Sequence, residues 1–287
     1  MNPSPHRPGK IISAVLVGLA CVCAGLAASD QRPNVVLIFA DDLGWKDVGY
    51  NGNDFHETPN LDRMAREGMV FHHAYAAAGN CAPSRACLLS GNYTPRHHVY
   101  AVGSTDRGAK ASQRLVPIPN RNGLGQENIT LADALKAAGY KTGHFGKWHL
   151  GGKGGSLPRD QGFDVSFDSF GEGELPEGSE GNKKGPPADP KGVFTLTRKA
   201  LEFIAANKAA PFFCYVAHHA IHTPLNARPE TLAKFEAKKP GAQHRNALYA
   251  ACTYDLDASV GLLLQQLKDL GLDHNTLVVF TSDNGAL

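Results

Sequence analysis

The chain has 287 residues, of which 42% are hydrophobic and 20% charged, a profile that suits a globular protein and excludes a disordered one. Its 29 basic and 27 acidic residues leave a formal net charge of +2. With no basic block to follow a phosphate backbone, the balance speaks against nucleic acid as a partner.

The chain opens on an apolar run, Ile11 to Ala28, that follows Arg7 and Lys10 and ends in the small residues Gly25-Leu-Ala-Ala-Ser29. A basic start, a weakly apolar middle and a small-residue end, suiting cleavage after Ala27, read as a secretory signal peptide over residues 1–28 rather than a stable membrane span. Cys21, after Gly-Leu-Ala, leaves a lipid anchor as the lesser alternative. Export to a periplasm or the extracellular space is the implied destination.

Asn34 to Ala40 (NVVLIFA) is a continuous β-branched apolar run, as in a strand buried on both faces, and it ends in Asp41-Asp42. Pro59 to Gly68 begins with proline and stops at glycine, so it predicts a helix. In Asn80-Cys81-Ala-Pro83-Ser84-Arg85, the early proline sets Cys81 at a helix N-terminus, where free N–H groups favour an anion and depress a thiol pKa. Taken alone, Cys81 reads first as a half-buried structural cysteine on a loop. Gly103 to Asn128 is a long loop of the kind that forms a functional rim.

Thr130 to Gly139 carries a threonine cap, Asp133 three residues on and a glycine stop, which predicts another helix. The strand Lys141 to Phe145 leads to Lys147-Trp148-His149, whose two basic residues share a side if the chain stays extended. Gly151 to Gly155 lacks the spacing of a nucleotide-binding loop. Gly171 to Gly192, rich in glycine, proline and charge, reads as a second rim.

Pro211 to Ala217 predicts a strand ending in His218-His219 and His222-Thr-Pro224, and Arg245 to Leu270 has helical apolar spacing. Thr276 to Ser282 (TLVVFTS) repeats the pattern of the first buried strand and leads into Asp283-Asn284-Gly285. Alternating strands and helices predict an α/β fold with a mostly parallel central sheet flanked by helices, whose ligands lie beyond the carboxyl ends of the strands. Either acidic pair alone reads first as a solvated turn or helix cap. Together, three carboxylates and an amide suit a hard cation such as calcium or magnesium. Of six cysteines, Cys81, Cys87, Cys214 and Cys252 lie beyond the signal peptide, too few for a disulfide scaffold, though a Cys214 to Cys252 bridge stays open.

The order Asp41-Asp42, Cys81-x-Pro83-Ser84-Arg85, Gly146-Lys147-Trp148-His149, His222-x-Pro224 and Asp283-Asn284-Gly285 resembles the type I, formylglycine-dependent sulfatases of the alkaline phosphatase-like superfamily. The resemblance runs from about Asn34 to the last residue and implies a catalytic domain over residues 29–287. It further implies that a formylglycine-generating enzyme oxidises Cys81 to formylglycine, whose hydrate attacks the sulfur of an aryl or carbohydrate sulfate ester, then collapses to expel inorganic sulfate.

By the same resemblance, one calcium is held by Asp41, Asp42, the modified Cys81, Asp283 and Asn284. Arg85 stabilises the hydrate, Lys147 binds sulfate or a formylglycine oxygen, His149 is the base of the elimination and His222 contacts the sulfate and bridging oxygen. His219 matches a less constant family histidine, and His218 is read as structural. Two departures stand out: Asn92 replaces a usual arginine, and the family's further lysine and smaller C-terminal domain would lie past Leu287, so the sequence reads as an incomplete sulfatase. A phosphomonoester or phosphodiester hydrolase of the same superfamily and an inactive fragment that binds sulfated glycans are the alternatives.

Overall fold

The first predicted strand forms β1, Asn34–Ala40, inside a five-stranded sheet. Its companions are β2, Lys141–Gly146, β3, Val165–Phe167, β4, Phe212–Ala217, and β5, Thr276–Ser282, in the order β3-β2-β4-β1-β5 with every pairing parallel. The computed structural model describes residues 32–151, 156–170 and 186–286. The signal peptide read over 1–28, most of the glycine run at 151–155 and most of the second rim at 171–192 lie outside them. Among the described residues, no helix is long and apolar enough to cross a membrane.

Helices cover both faces of the sheet. They are α1, Pro59–Glu67, α2, Cys81–Ser90, α3, Thr94–His97, α4, Leu131–Ala137, α5, Val193–Asn207, α6, Pro229–Glu236, and α7, Ala247–Asp269. The pleat of β1 divides the core. Val36, Ile38 and Ala40 join Phe203 and Ile204 of α5, Phe235 of α6 and Leu256, Val260 and Leu263 of α7 in one buried cluster. Leu37 and Phe39 join Ala82, Ala86 and Leu89 of α2 and Ala132 of α4 in the other. Each fully buried Leu, Ile or Phe here contributes about 1.5–3 kcal/mol.

Local sequence rules set the helix ends. Asp133 N–H donates to Thr130 Oγ1 while Asp133 accepts from the Thr130 N–H, a capping box that starts α4. Asn246 caps α7 by accepting from the Tyr249 N–H. Gly91, at φ 65°, closes α2 by donating to the Cys87 carbonyl. β2 runs one residue past the prediction because Gly146, at φ 116°, lets the backbone turn against β4, where a Cβ would meet the Ala217 carbonyl oxygen at 1.9 Å.

Two expectations are corrected. Among the described residues, β5 is not buried on both faces: it is an edge strand, with Val278 and Phe280 packed inward while Leu277 and Val279 stay 55% and 36% exposed. An apolar run does not say whether a second strand or helix will cover each face. Cys214 and Cys252 form no bridge: all four described cysteines are free, Cys214 in the core of β4 and the Cys252 thiol donating to the Asn226 carbonyl.

Candidate active site

The register of the sheet gathers the polar clusters. Ala40 pairs with Ser282, Phe39 with Ala217 and Gly146 with Ala217, so Asp41-Asp42, Asp283-Asn284, His218 to His222 and Lys147 to His149 all leave the same carboxyl edge. The backbone fastens them there. Asp41 exchanges bonds with Ala220 and Ile221, Asp283 N–H donates to the Ala40 carbonyl and Lys147 N–H to the Ala217 carbonyl.

Helix α2 begins at Cys81 against this edge and is buried nearly all round. Its N-terminal N–H groups and dipole make that end hospitable to an anion. The thiol nevertheless departs from the expectation of a depressed pKa. Burial first, and then the Asp41 carboxylate, push it well above the ordinary thiol range. Its sulfur lies 3.8 Å from Asp42 Oδ1.

One turn on, the Arg85 guanidinium is fully buried between Asp41 Oδ1 at 3.2 Å and Asp283 Oδ2 at 2.9 Å, and it also donates to the Lys147 carbonyl. Lys147 Nζ meets the other oxygen of Asp41 at 2.8 Å. Burial opposes the charge of Asp41, but Lys147 and Arg85 outweigh it and hold that carboxyl well below the carboxylate range. Asp283 shares only Arg85 and faces Asp41, so burial and that like charge push it up to about 6. Three carboxylates, Asp42 included, therefore face two fixed cations, an imbalance a bound cation would relieve.

The donor set fits such an ion. Ligand atoms of Asp41, Asp42, Cys81 and Asp283 lie within 4.8 Å of one another. Asp42 Oδ2 and Asn284 Oδ1 are buried and accept no hydrogen bond. Both can only accept, and leaving such oxygens unfilled costs about 1–3 kcal/mol each. Asn284 Nδ2 donates to Asp42 Oδ1 at 2.6 Å, which fixes the direction of its carbonyl oxygen. An oxygen-rich set of this kind suits calcium or magnesium.

A cavity of about 220 Å³ opens beside these groups, lined by Asp42, Cys81, His149, His222 and Asn284, and also by Gly79, Asn80, Val102 and Arg107. His222 Nδ1 donates to the Thr223 carbonyl, which turns Nε2 to within 3.5 Å of Asp42 Oδ2. His149 arrives differently from the extended reading: β2 has ended, and His149 sits at φ 58°. Lys147 consequently points to Asp41 while His149 faces the cavity.

His219 does not line the cavity; its Nε2 is 2.8 Å from Asp168 and its ring stands edge-on to Phe170. His218 is wholly buried. Ser259 donates to the Leu256 carbonyl and so accepts from His218 Nε2 at 3.3 Å. Sequence reasoning missed Arg107, a residue of the first rim with no motif around it, and Asp168, the partner of His219. Neither belongs to a sequence motif, because Arg107 meets the cavity and Asp168 meets His219 only through the fold.

A family model described as Sulfatase matches residues 33–287. N-acetylgalactosamine-6-sulfatase of Mus musculus is 38% identical over 297 residues, covering 95% of this chain and 53% of that protein. Arylsulfatase A of Homo sapiens is 34% identical over 299 residues, covering 93% and 54%. The crystal structure of Ps i-CgsB, determined also in complex with k-i-k-neocarrahexaose, matches with a TM-score of 0.69 at 34% identity, over 89% of this chain and 59% of that one. The chain spans about half the length of the curated relatives it matches.

Proposed function

The chain belongs to the sulfatase family, and from that premise we propose that its cavity hydrolyses the sulfate ester of a carbohydrate, releasing inorganic sulfate. The observation that carries this reading is Cys81 at the start of α2, sharing one cavity with His149, His222 and the buried acceptor oxygens of Asp42 and Asn284. The names of the relatives, a sulfatase of N-acetylgalactosamine among them, support a sugar as the alcohol.

Oxidation of Cys81 to formylglycine by a dedicated modifying enzyme would supply an oxygen nucleophile that takes the sulfuryl group and then sheds it by breaking its own C–O bond. It would also replace a soft sulfur by oxygen in an otherwise hard ligand set. Asp41, Asp42, Asp283 and Asn284 would hold calcium, which supplies a fixed positive charge against the oxygens that gain charge during transfer.

The side chains divide the remaining work. The N-terminus of α2 binds the sulfate oxygens. Arg85, locked between Asp41 and Asp283, fixes both carboxylates and adds charge behind the nucleophile. Lys147 does the same from the other oxygen of Asp41 and, close to Cys81, takes up a formylglycine oxygen. His149 accepts the proton of the elimination step, and His222, with Nε2 turned inward, meets the sulfate and the bridging oxygen. Export directed by residues 1–28 belongs to the same proposal.

The test is the mass of the Cys81 peptide in protein from its native host, together with sulfate release. Conversion to the aldehyde is expected, with turnover of an aryl sulfate faster than of the matching aryl phosphate. Thiol throughout, or preference for the phosphate, would overturn the reading. Cys81→Ala abolishes turnover while leaving the melting temperature within a few degrees of wild type.

A further inference from the structure

Among the described residues that line the 220 Å³ cavity, Arg107 is the only permanent cation. Arg85 and Lys147 lie behind the cavity wall, each paired with a carboxylate. Arg107 comes instead from the rim loop, and the loop is built to hold it. At the base, Asn120 accepts from the N–H groups of Tyr100 and Ala101 and donates to the carbonyls of Ala101 and Gly103. Gln113 Nε2 donates to Asp106 Oδ1 at 2.6 Å and to the Arg107 carbonyl at 3.2 Å.

The guanidinium is gripped as well. Nη2 donates to the Val102 carbonyl at 2.6 Å and Nε to the Ser104 carbonyl at 2.9 Å. Those two bonds fix the plane of the fork and neutralise none of its charge, since carbonyls carry no net charge. Among the described residues, no carboxylate pairs with Arg107 and no acceptor takes a bond from Nη1. A side chain of high rotamer freedom is thus ordered at a cavity mouth with its charge unspent.

A sulfate monoester has a single negative charge, and the interior of the site already provides the α2 N-terminus and the ion-binding group for it. We propose that Arg107 is a specificity residue that binds a second anion on the leaving group, a carboxylate or another sulfate, so that the preferred substrates are polyanionic sugars. This rests on the sulfate-ester reading above. Because Arg107 and Cys81 line one small cavity, the second anion sits on the sugar that carries the ester or on its neighbour.

The test measures equilibrium binding to the full chain carrying Cys81→Ala, so that neither modification nor turnover is needed. The probes are a disaccharide of uronic acid and 6-sulfated N-acetylgalactosamine, the same disaccharide with its carboxylate reduced to the alcohol, and the reduced form bearing a second sulfate. The doubly anionic probes should bind about tenfold more tightly than the reduced one at low ionic strength, and less so as salt is raised. Adding Arg107→Ala should bring that ratio close to one, Arg107→Lys should retain part of it, and Gln113→Ala, which loosens the loop and keeps the charge, should retain most.

Which of the two anionic probes loses more under Arg107→Ala assigns the anion as carboxylate or sulfate. Binding blind to the second charge, a ratio that survives Arg107→Ala, or one lost equally with Gln113→Ala overturns the proposal. Failure to bind any probe overturns it together with the sulfate-ester reading, whereas tight binding without discrimination leaves that reading standing.

Discussion

Strands β1 and β5 run side by side in register, from Asn34 opposite Thr276 to Ala40 opposite Ser282, and each is an apolar run that ends in acid. Their surroundings differ. β1 has β4 on its other side and a buried cluster on each face, whereas β5 is the sheet edge and packs only one face. Both nevertheless bring their polar ends to one cluster, Asp41 and Asp42 from β1, Asp283 and Asn284 from β5. What places a polar group at this edge is therefore the register of the strand end, while what stabilises the sheet is the covering of the faces.

That separation can be broken at several points. The largest effect should be at the strand ends, and it should be alike for both strands. Asp42→Asn and Asn284→Ala should each lower sulfate release by about a thousandfold, as removal of a charge-stabilising group does elsewhere. On the proposed calcium site, added calcium should raise the melting temperature of wild type, and both substitutions should erase that rise. Unequal losses that follow strand burial would refute the claim that register alone matters.

Within the strands the effects should diverge. Ile38→Ala, at a wholly buried position of β1, should cost about 2–5 kcal/mol in denaturant unfolding. Leu277→Ser, on the exposed face of β5, should cost under about 0.5 kcal/mol. A comparable cost at both positions would mean that the outer face of β5 is covered in solution.

Between these lies a pH effect, to which two buried histidines of the central strands contribute. His144 in β2 and His218 after β4 are buried, and burial pushes them down to about 4 and about 3 from the ordinary 6.5. Asp168 pulls His144 up, and Arg85 and His219 press it down; His219 presses on His218 too. Between those values and 6.5 the unfolded chain binds protons the folded chain refuses, so stability is full above 6.5 and falls as pH drops through this window. These histidines should pull the melting temperature down from pH 7 to pH 4, against an opposite contribution from Asp283, whose carboxyl at about 6 takes up a proton in the folded chain first, and His218→Gln should remove part of the downward pull. An unchanged slope in the variant would show that His218 does not contribute.

The catalytic edge was legible in the sequence to an unusual degree because its parts are local. Apolar runs closed by acids mark β1 and β5, and Cys81-x-Pro83-Ser84-Arg85 marks the start of α2. Helix α5 carries a local signal of the same kind, Leu196, Ala200, Phe203 and Ile204 at helical spacing. Arg107 and Asp168 were not readable, since no motif around either announces the cavity or His219 as its neighbour.

By itself the sequence determined the elements, their caps and the order of the reactive clusters, because hydrophobic periodicity, proline, glycine and capping side chains act over a few residues. Only the tertiary structure decided that β5 lies at the edge, that the Cys81 thiol is held neutral, that Arg85 ties Asp41 to Asp283, and that Arg107 reaches the cavity. Each of those depends on burial or on charge at short range, and both arise between residues that lie far apart in the chain and meet only when the sheet assembles.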